Sequence, residues 1–363
     1  MKKTLLASAI AAAAFSGAVA AQPAMSTLEL TDKMDAMPNF YGNIQYVYNY
    51  TDSDVDGASS GHYDNGTTVG LTHSHAITSG VEGFLKIELE VAAADEKGAG
   101  NGLVDLDEAY IGVRGDSFGQ VWVGSDDSIY ESWLGDYGNW VFEYAAQNPY
   151  ASYTTGEDDM VQYMSPSFGG LTFGAAIQIN GDGEGTTTID SPVTVTDGEL
   201  DTTTTADKKS FPYQLGVSYS MDALTASFVM DSNDGGASGG SNENSYGVAF
   251  EYALDALVLD TYYDYRAGKD GAGNGDTTLD GIEGRSQIGA MATYNMGPNT
   301  FRLAYEVAEV DEGDLEVDVL TVQALHNVSD NMYVYIEAAR RNNDIGSADE
   351  EINEGNVGAV YYF

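Results

Sequence analysis

The chain has 363 residues, no cysteine and a formal net charge of −43, with 57 acidic against 14 basic side chains. Nucleic acid is excluded as a partner, because its phosphates would be repelled rather than neutralised, and the lack of cysteine excludes disulfides and thiolate metal sites. With 25 tyrosines and 43 glycines against 7 prolines, the composition suits many strands that carry amphipathic rings.

In chain order, residues 1–20 read as a cleaved secretory signal peptide: Lys2 and Lys3, an apolar run from Leu5 to Phe15, then Ala18, Val19 and Ala20. Its removal leaves 343 residues and takes the charge from −43 to −45, since it holds two lysines and no acid. Residues 21–38 form a short segment ahead of the strands, in which Leu30, Met34 and Met37 have helical spacing. No later segment approaches the ~20 consecutive apolar residues of a membrane helix.

From residue 39 to the end, strand periodicity recurs. Phe40, Gly42, Ile44, Tyr46, Tyr48 and Tyr50 alternate with Tyr41, Asn43, Gln45, Val47 and Asn49. "VEGFLKIELEV" sets Val81, Leu85, Ile87 and Leu89 opposite Glu82, Lys86, Glu88 and Glu90, and the split returns in "LTFGAAIQI", "YQLGVSYS", "SYGVAFEY", "RSQIGAMATYNM" and "MYVYIEAARR". Between these segments, long acidic, glycine-rich links (51–62, 93–102, 125–159, 181–210, 232–243, 267–284, 309–314, 341–355) alternate with tight ones (74–79, 115–119, 166–170, 221–223, 255, 295–298, 329–330). Eight long links interleaved with seven short ones require sixteen strands.

Short turns on one side, long loops on the other and an apolar face on every strand are the marks of an all-β, transmembrane antiparallel barrel of 16 strands over residues 39–363. A secreted β-sandwich or propeller also alternates but needs no strict loop rhythm. In hydrocarbon every backbone polar group must be paired, so "NVGAVYYF" must close against the first strand, with Tyr361 and Phe363 in the aromatic girdle at the periplasmic interface. Residues 21–38 would then be periplasmic. A barrel of this strand count encloses an aqueous channel.

These residues resemble the trimeric general-diffusion porins of Gram-negative outer membranes. The likeness is carried by "NFYGNIQYVYNY", "EAYIGVRGDSFGQVWVGS", "VQYMSPSFGGLTFGAAIQ" and the aromatic terminus, and covers nearly all of the mature chain. The resemblance implies a homotrimer in outer-membrane lipid and lipopolysaccharide, and a terminal strand ending at Phe363 that is recognised by the assembly machinery. It also implies that the third long loop, residues 125–159, folds into the lumen as the constriction, carrying Asp126, Asp127, Glu131, Asp136 and Glu143. Where the family often has wall arginines facing such acids, this chain has Asp107, Ser125 and Gln162.

Alternation assigns the pore wall. Lys86, Arg114, Arg285 and Arg302 are its bases; Glu82, Glu88, Glu90, Asp107, Glu251, Asp260, Asp264, Glu306, Glu316, Asp318 and Glu337 are its acids. A net negative lumen predicts passive diffusion of small polar solutes with preference for cations. The acids could instead only solvate the loops.

Other motifs point to no chemistry. "DSDVDG" places Asp52, Asp54 and Asp56 as in a calcium loop, but position twelve is Tyr63 and the flanks are strands. The glycine-rich "GKDGAGNGDTTLDG" lacks the Lys-Ser/Thr of a phosphate loop. His73 and His75 share a strand face without a third ligand. No cofactor and no catalytic set is expected. Tyr130, Trp133, Tyr137 and Trp140 of the third loop either pack it against the wall or stack sugars. The remaining alternatives are a channel selective for a sugar or a cationic solute, a closed structural or adhesive barrel, and a barrel hydrolase.

Overall fold

The computed structural model describes residues 37–91, 105–134, 141–145, 155, 157, 159–179, 195–196, 199–200, 211–234, 244–267, 284–310, 315–345 and 349–363. The expected signal peptide, nearly all of segment 21–38, and Asp136, Tyr137 and Trp140 of the third loop lie outside these residues.

The strands are β1 (Asn39–Ser53), β2 in two arms (Gly57–Asp64 and Thr68–Thr78), β3 (Val81–Glu90), β4 (Asp105–Gly115), β5 (Gly119–Ser125), β6 (Met160–Met164), β7 (Leu171–Gln178) and β8 (Tyr213–Met221). There follow β9 (Leu224–Asp231), β10 (Ser245–Leu254), β11 (Leu257–Arg266), β12 (Arg285–Met296), β13 (Asn299–Val310), β14 (Leu315–Ser329), β15 (Met332–Ile345) and β16 (Asp349–Tyr362). A helix, α1 (Ile129–Leu134), lies between β5 and β6. Every strand pairs antiparallel with its sequence neighbour, and β1 pairs with β16 from Asn43↔Tyr362 to Ser53↔Ile352. Gly42 and Phe363 exchange N–H···O bonds of 3.1 and 3.0 Å. The result is a closed 16-strand barrel without a free edge, as hydrocarbon demands.

The interruption of β2 has a local cause. The Asp64 carboxylate accepts the N–H groups of Gly66 (3.1 Å) and Thr67 (2.9 Å), folding Asp-Asn-Gly into a turn in which Gly66 takes φ +94°. Both arms still pair with β1, so they form one barrel strand with a kink.

The tight connections fall at 79–80, 116–118, 165–170, 222–223, 255–256, 297–298 and 330–331, close to their expected places. Two expected long links differ. Residues 51–62 are mostly strand, turning at 54–56, and the described residues of 341–355 are all strand. The 15-residue β1 and β14 extend about 50 Å, against the ~35 Å needed to cross a ~25 Å apolar band at ~45°. Above that band both strand faces meet water, and the hydropathy alternation disappears.

The outer face is apolar and uncovered: Ile111, Ile336 and Val357 are 62, 57 and 58 % exposed, which in a membrane means contact with lipid or a neighbouring subunit. His73 and His75 stand on this outer face, opposite Leu85 and Gly83, with rings stacked at 5.6 Å. Two wall assignments are corrected. Val317 and Val319 are buried in the lumen, so Glu316 and Asp318 point outward, where Asp318 accepts Asn342 Nδ2 at 2.9 and 3.1 Å. They lie above the apolar band on an extended strand, where outward acids meet water.

Candidate pore constriction

The third loop leaves β5 at Ser125 and is turned inward by a short helix. Ser128 caps α1, its Oγ accepting the N–H of Glu131 at 3.2 Å. The apolar side of α1 lies on the lumen wall where that wall is bare: a Cβ on Gly174 would stand 2.8 Å from Ile129, on Gly216 2.6 Å from Trp133, and on Gly247 2.7 Å from Leu134. Three glycines on β7, β8 and β10 are thus the groove that receives the helix. The Tyr130 N–H donates to Gln214 Oε1 at 2.9 Å, and its hydroxyl donates to Asp264. Tyr130 and Trp133 therefore pack the loop.

A second anchor holds residues 141–145. Phe142 and Ala145 are buried against Met291, Ala304, Val317, Val319 and Ala339. The Glu337 carboxylate accepts the backbone N–H groups of Glu143 (2.7 Å), Tyr144 (3.0 Å) and Ala145 (2.9 Å), and Gln323 Nε2 at 2.7 Å. Charge-assisted bonds of this kind contribute about 1.5–3 kcal/mol each. From the kink of β2, Asn65 Nδ2 donates to the Glu143 carbonyl at 2.9 Å. A third anchor is Thr155, whose Oγ1 and N–H donate to Asp231 at 2.6 and 3.2 Å. The loop thereby crosses the lumen and is fixed at points from β7 to β15.

The start of the loop is strongly acidic. Asp126 accepts Trp122 Nε1 at 2.5 Å, and burial together with the neighbouring Glu108 and Asp127 pushes its carboxyl up to about 7. On the wall beside it, Asp107 lies against Glu88, which also accepts the Tyr41 hydroxyl. Lys86 is engaged by Glu108 and, at 3.6 Å, by Glu88. Asp127, Glu131 and Glu157 bring carboxylate oxygens within 4.8 Å of one another, a spacing at which they could share one cation. Where wall arginines often stand in the family, Gln162 is fully buried and its Nε2 donates to the Asp127 carbonyl at 2.9 Å.

At the loop tip the balance differs. Burial raises the Glu143 carboxyl to about 7, with Glu337 adding to the shift and the Tyr333 hydroxyl and Arg302 opposing it. Arg302 donates to Gln323 from the wall. The other bases expected on the wall lie elsewhere: Arg114 pairs with Glu82 at 2.9 Å near the tight turns, and Arg285 lies opposite Arg266 at the other end of the wall. Glu306 is buried in the wall, accepting the Tyr262 hydroxyl.

Three functional features escaped the sequence reading: the glycine groove, the role of Glu337 in holding the loop, and Asn65. Glycine at lumen positions of three strands is a legible signal of close approach, whereas Glu337 looked like any other wall acid.

Comparison with known proteins agrees with this architecture. The family model for Gram-negative porins matches residues 7–346. A monosaccharide porin of a Halomonas species and the major outer membrane protein of Halomonas elongata are each 27 % identical over 100 % of both chains. Among solved structures, the anion-selective porin of Comamonas acidovorans superposes with TM-score 0.71 at 15 % identity, covering 90 % of this chain and 99 % of that one. OmpF of Salmonella typhi superposes with TM-score 0.65 at 14 % identity, covering 91 and 99 %. A closed barrel with a loop pinned across its lumen and a family match over almost the whole length lead to one conclusion: the chain belongs to the Gram-negative porins, channel-forming barrels of the outer membrane.

Proposed function

We propose that the protein is a water-filled pore for passive diffusion of ions and small hydrophilic solutes, that it prefers cations, and that it catalyses no reaction. The observation that carries this reading is the cluster of Glu88, Asp107, Glu108, Asp126 and Asp127 at the root of the third loop, with Lys86 as its basic neighbour. A lumen lined by one sign within low-dielectric walls concentrates counter-ions.

A homotrimer is part of the proposal. The outer faces of the lower arm of β2 and of β3 to β5 carry aliphatic side chains, among them Val69, Leu85, Ile87, Ile111, Val121 and Val123, together with the His73–His75 pair, and among the described residues no Phe, Tyr or Trp. The outer faces of β7 to β13 carry Phe173, Tyr213, Phe228, Phe250, Tyr263, Tyr294 and Tyr305. Phe, Tyr and Trp rings mark a lipid interface, and their absence fits a face that meets another subunit. OmpT of Vibrio cholerae, a TM-score 0.61 neighbour, is known in a trimer form. Lipid, lipopolysaccharide and the assembly machinery that reads Phe363 are the further partners.

The test is single-channel recording of the purified protein in planar bilayers under a potassium chloride gradient. The expected result is an open conductance with a cation-favouring zero-current potential, which shrinks as screening lengths fall from ~10 Å at ~0.1 M to ~3 Å at ~1 M salt. A closed barrel or an anion-favouring potential would overturn it.

A further inference from the structure

The anchors of the third loop leave one aromatic run in the lumen unused. Tyr63 stacks on Tyr144 of the loop, with ring centroids 5.8 Å apart and planes 9° apart. Tyr144 packs against the buried cluster of Val47, Tyr335 and Val360, which Tyr333 also joins. Tyr333 lies 6.4 Å from Tyr335 and 6.1 Å from Tyr362. Register sets their order along the pore: Tyr335 stands opposite Gly358, Tyr333 opposite Val360, and Tyr362 opposite Asn43, beside the periplasmic turn at 330–331. The rings therefore descend from the loop tip to the periplasmic mouth.

Their exposure divides the labour. Tyr63 and Tyr362 are each 42 % exposed, while Tyr335 is 2 % exposed and backs the others. At mid-height the Tyr333 hydroxyl hydrogen-bonds the Glu143 carboxylate, and Arg302 faces the same pair. Arg302 there faces two carboxylates, Glu143 and Glu337, and Glu337 is taken up by three loop N–H groups and Gln323, so the acid excess is smaller than at the root of the loop. What remains is a set of flat apolar faces edged by strong hydrogen-bonding groups.

We propose that Tyr63, Tyr144, Tyr333 and Tyr362, flanked by Glu143 and Arg302, form a binding track for neutral sugars of monosaccharide size. A pyranose ring offers an apolar face that stacks on phenol rings, and an equatorial rim of hydroxyls that donate to a carboxylate and accept from a guanidinium. This rests on the reading of the protein as an open pore and names a solute class for it. The relative called a monosaccharide porin fits the same class.

The test is block of ion current by D-glucose in planar bilayers, at about 1 M potassium chloride so that charge effects are screened. In the unaltered protein the current falls saturably with glucose. Tyr144→Ala and Tyr362→Ala each raise the half-blocking concentration about 2- to 10-fold, the range expected for losing one aromatic contact. Tyr362→Phe, which keeps the ring, stays within about twofold. A wild-type current that declines with glucose without saturation overturns the track and leaves the pore intact. Saturable block that the alanine variants do not weaken also overturns it. If no ion current flows at all, the pore reading fails, and the track with it.

Discussion

The two sides of the lumen solve different problems with the same small alphabet of polar residues. On β3 to β5 and the root of the third loop, Glu88, Asp107, Glu108, Asp126 and Asp127 are crowded together around Lys86. On β13 to β16, carboxylates are spent on structure: Glu337 is saturated by three loop N–H groups and Gln323, and Glu143 sits with Tyr333 and Arg302. An acid that ends in backbone donors fixes a loop; an acid left among other acids makes a field. Counting charge along the chain does not distinguish them.

The largest expected effect comes from breaking the structural side. Glu337→Ala orphans three N–H groups buried against the wall, at about 1–3 kcal/mol each, so the loop tip should detach. Single-channel recording is expected to show a larger, noisier conductance, and the unfolding temperature should fall; Glu337→Gln, which keeps one acceptor, should lie between. Next is the glycine groove. Gly216→Ala would put a Cβ 2.6 Å from the rigid Trp133 ring, and overpacking of that kind costs about 1–3 kcal/mol, measurable as earlier thermal unfolding with the barrel signal otherwise unchanged.

The acidic side is probed by pH. The Asp126 carboxyl titrates near 7 rather than in the ordinary carboxylate range because it is buried beside Glu108 and Asp127. Lowering the pH from 8 to 6 should neutralise it and reduce cation selectivity, and Asp126→Asn should flatten that part of the profile. The sign for stability follows from the same shift. Between about pH 4 and 7 the folded protein holds a proton on Asp126 that the unfolded chain has released, so stability from this group is greatest in acid and declines as pH rises through that window. The smallest effect is expected at the tight-turn end of the barrel, where Arg114 and Glu82 are both exposed. Arg114→Gln should leave thermal unfolding unchanged, since exposed pairs contribute little.

Much of this fold was legible in the sequence. Strand number and the side of each turn follow from period-two hydropathy and from the alternation of link lengths, because lipid on one face and water on the other impose both. The reading failed where that constraint lapses. The described residues of 51–62 and 341–355 are mostly strand above the apolar band, where nothing forces one face to be greasy. Glu316 and Asp318 lie in the same zone and point outward for the same reason. Within the site, Asp126 and Asp127 were found as loop acids, but their company with Glu88, Asp107 and Glu108 depends on how the loop folds back. The tyrosine run is assembled from β2, the loop, β15 and β16, in segments spread along the chain from Tyr63 to Tyr362, so no local pattern announces it.

The most direct test of the account is the zero-current potential at low salt, compared between neutralisation of the acidic side (Asp107→Asn, Asp126→Asn and Asp127→Asn together) and Glu143→Gln on the other. The account predicts a cation-favouring potential in the unaltered protein that collapses toward zero in the triple variant and is nearly kept with Glu143→Gln. An anion-favouring potential, or a triple variant as cation-selective as the parent, would contradict it.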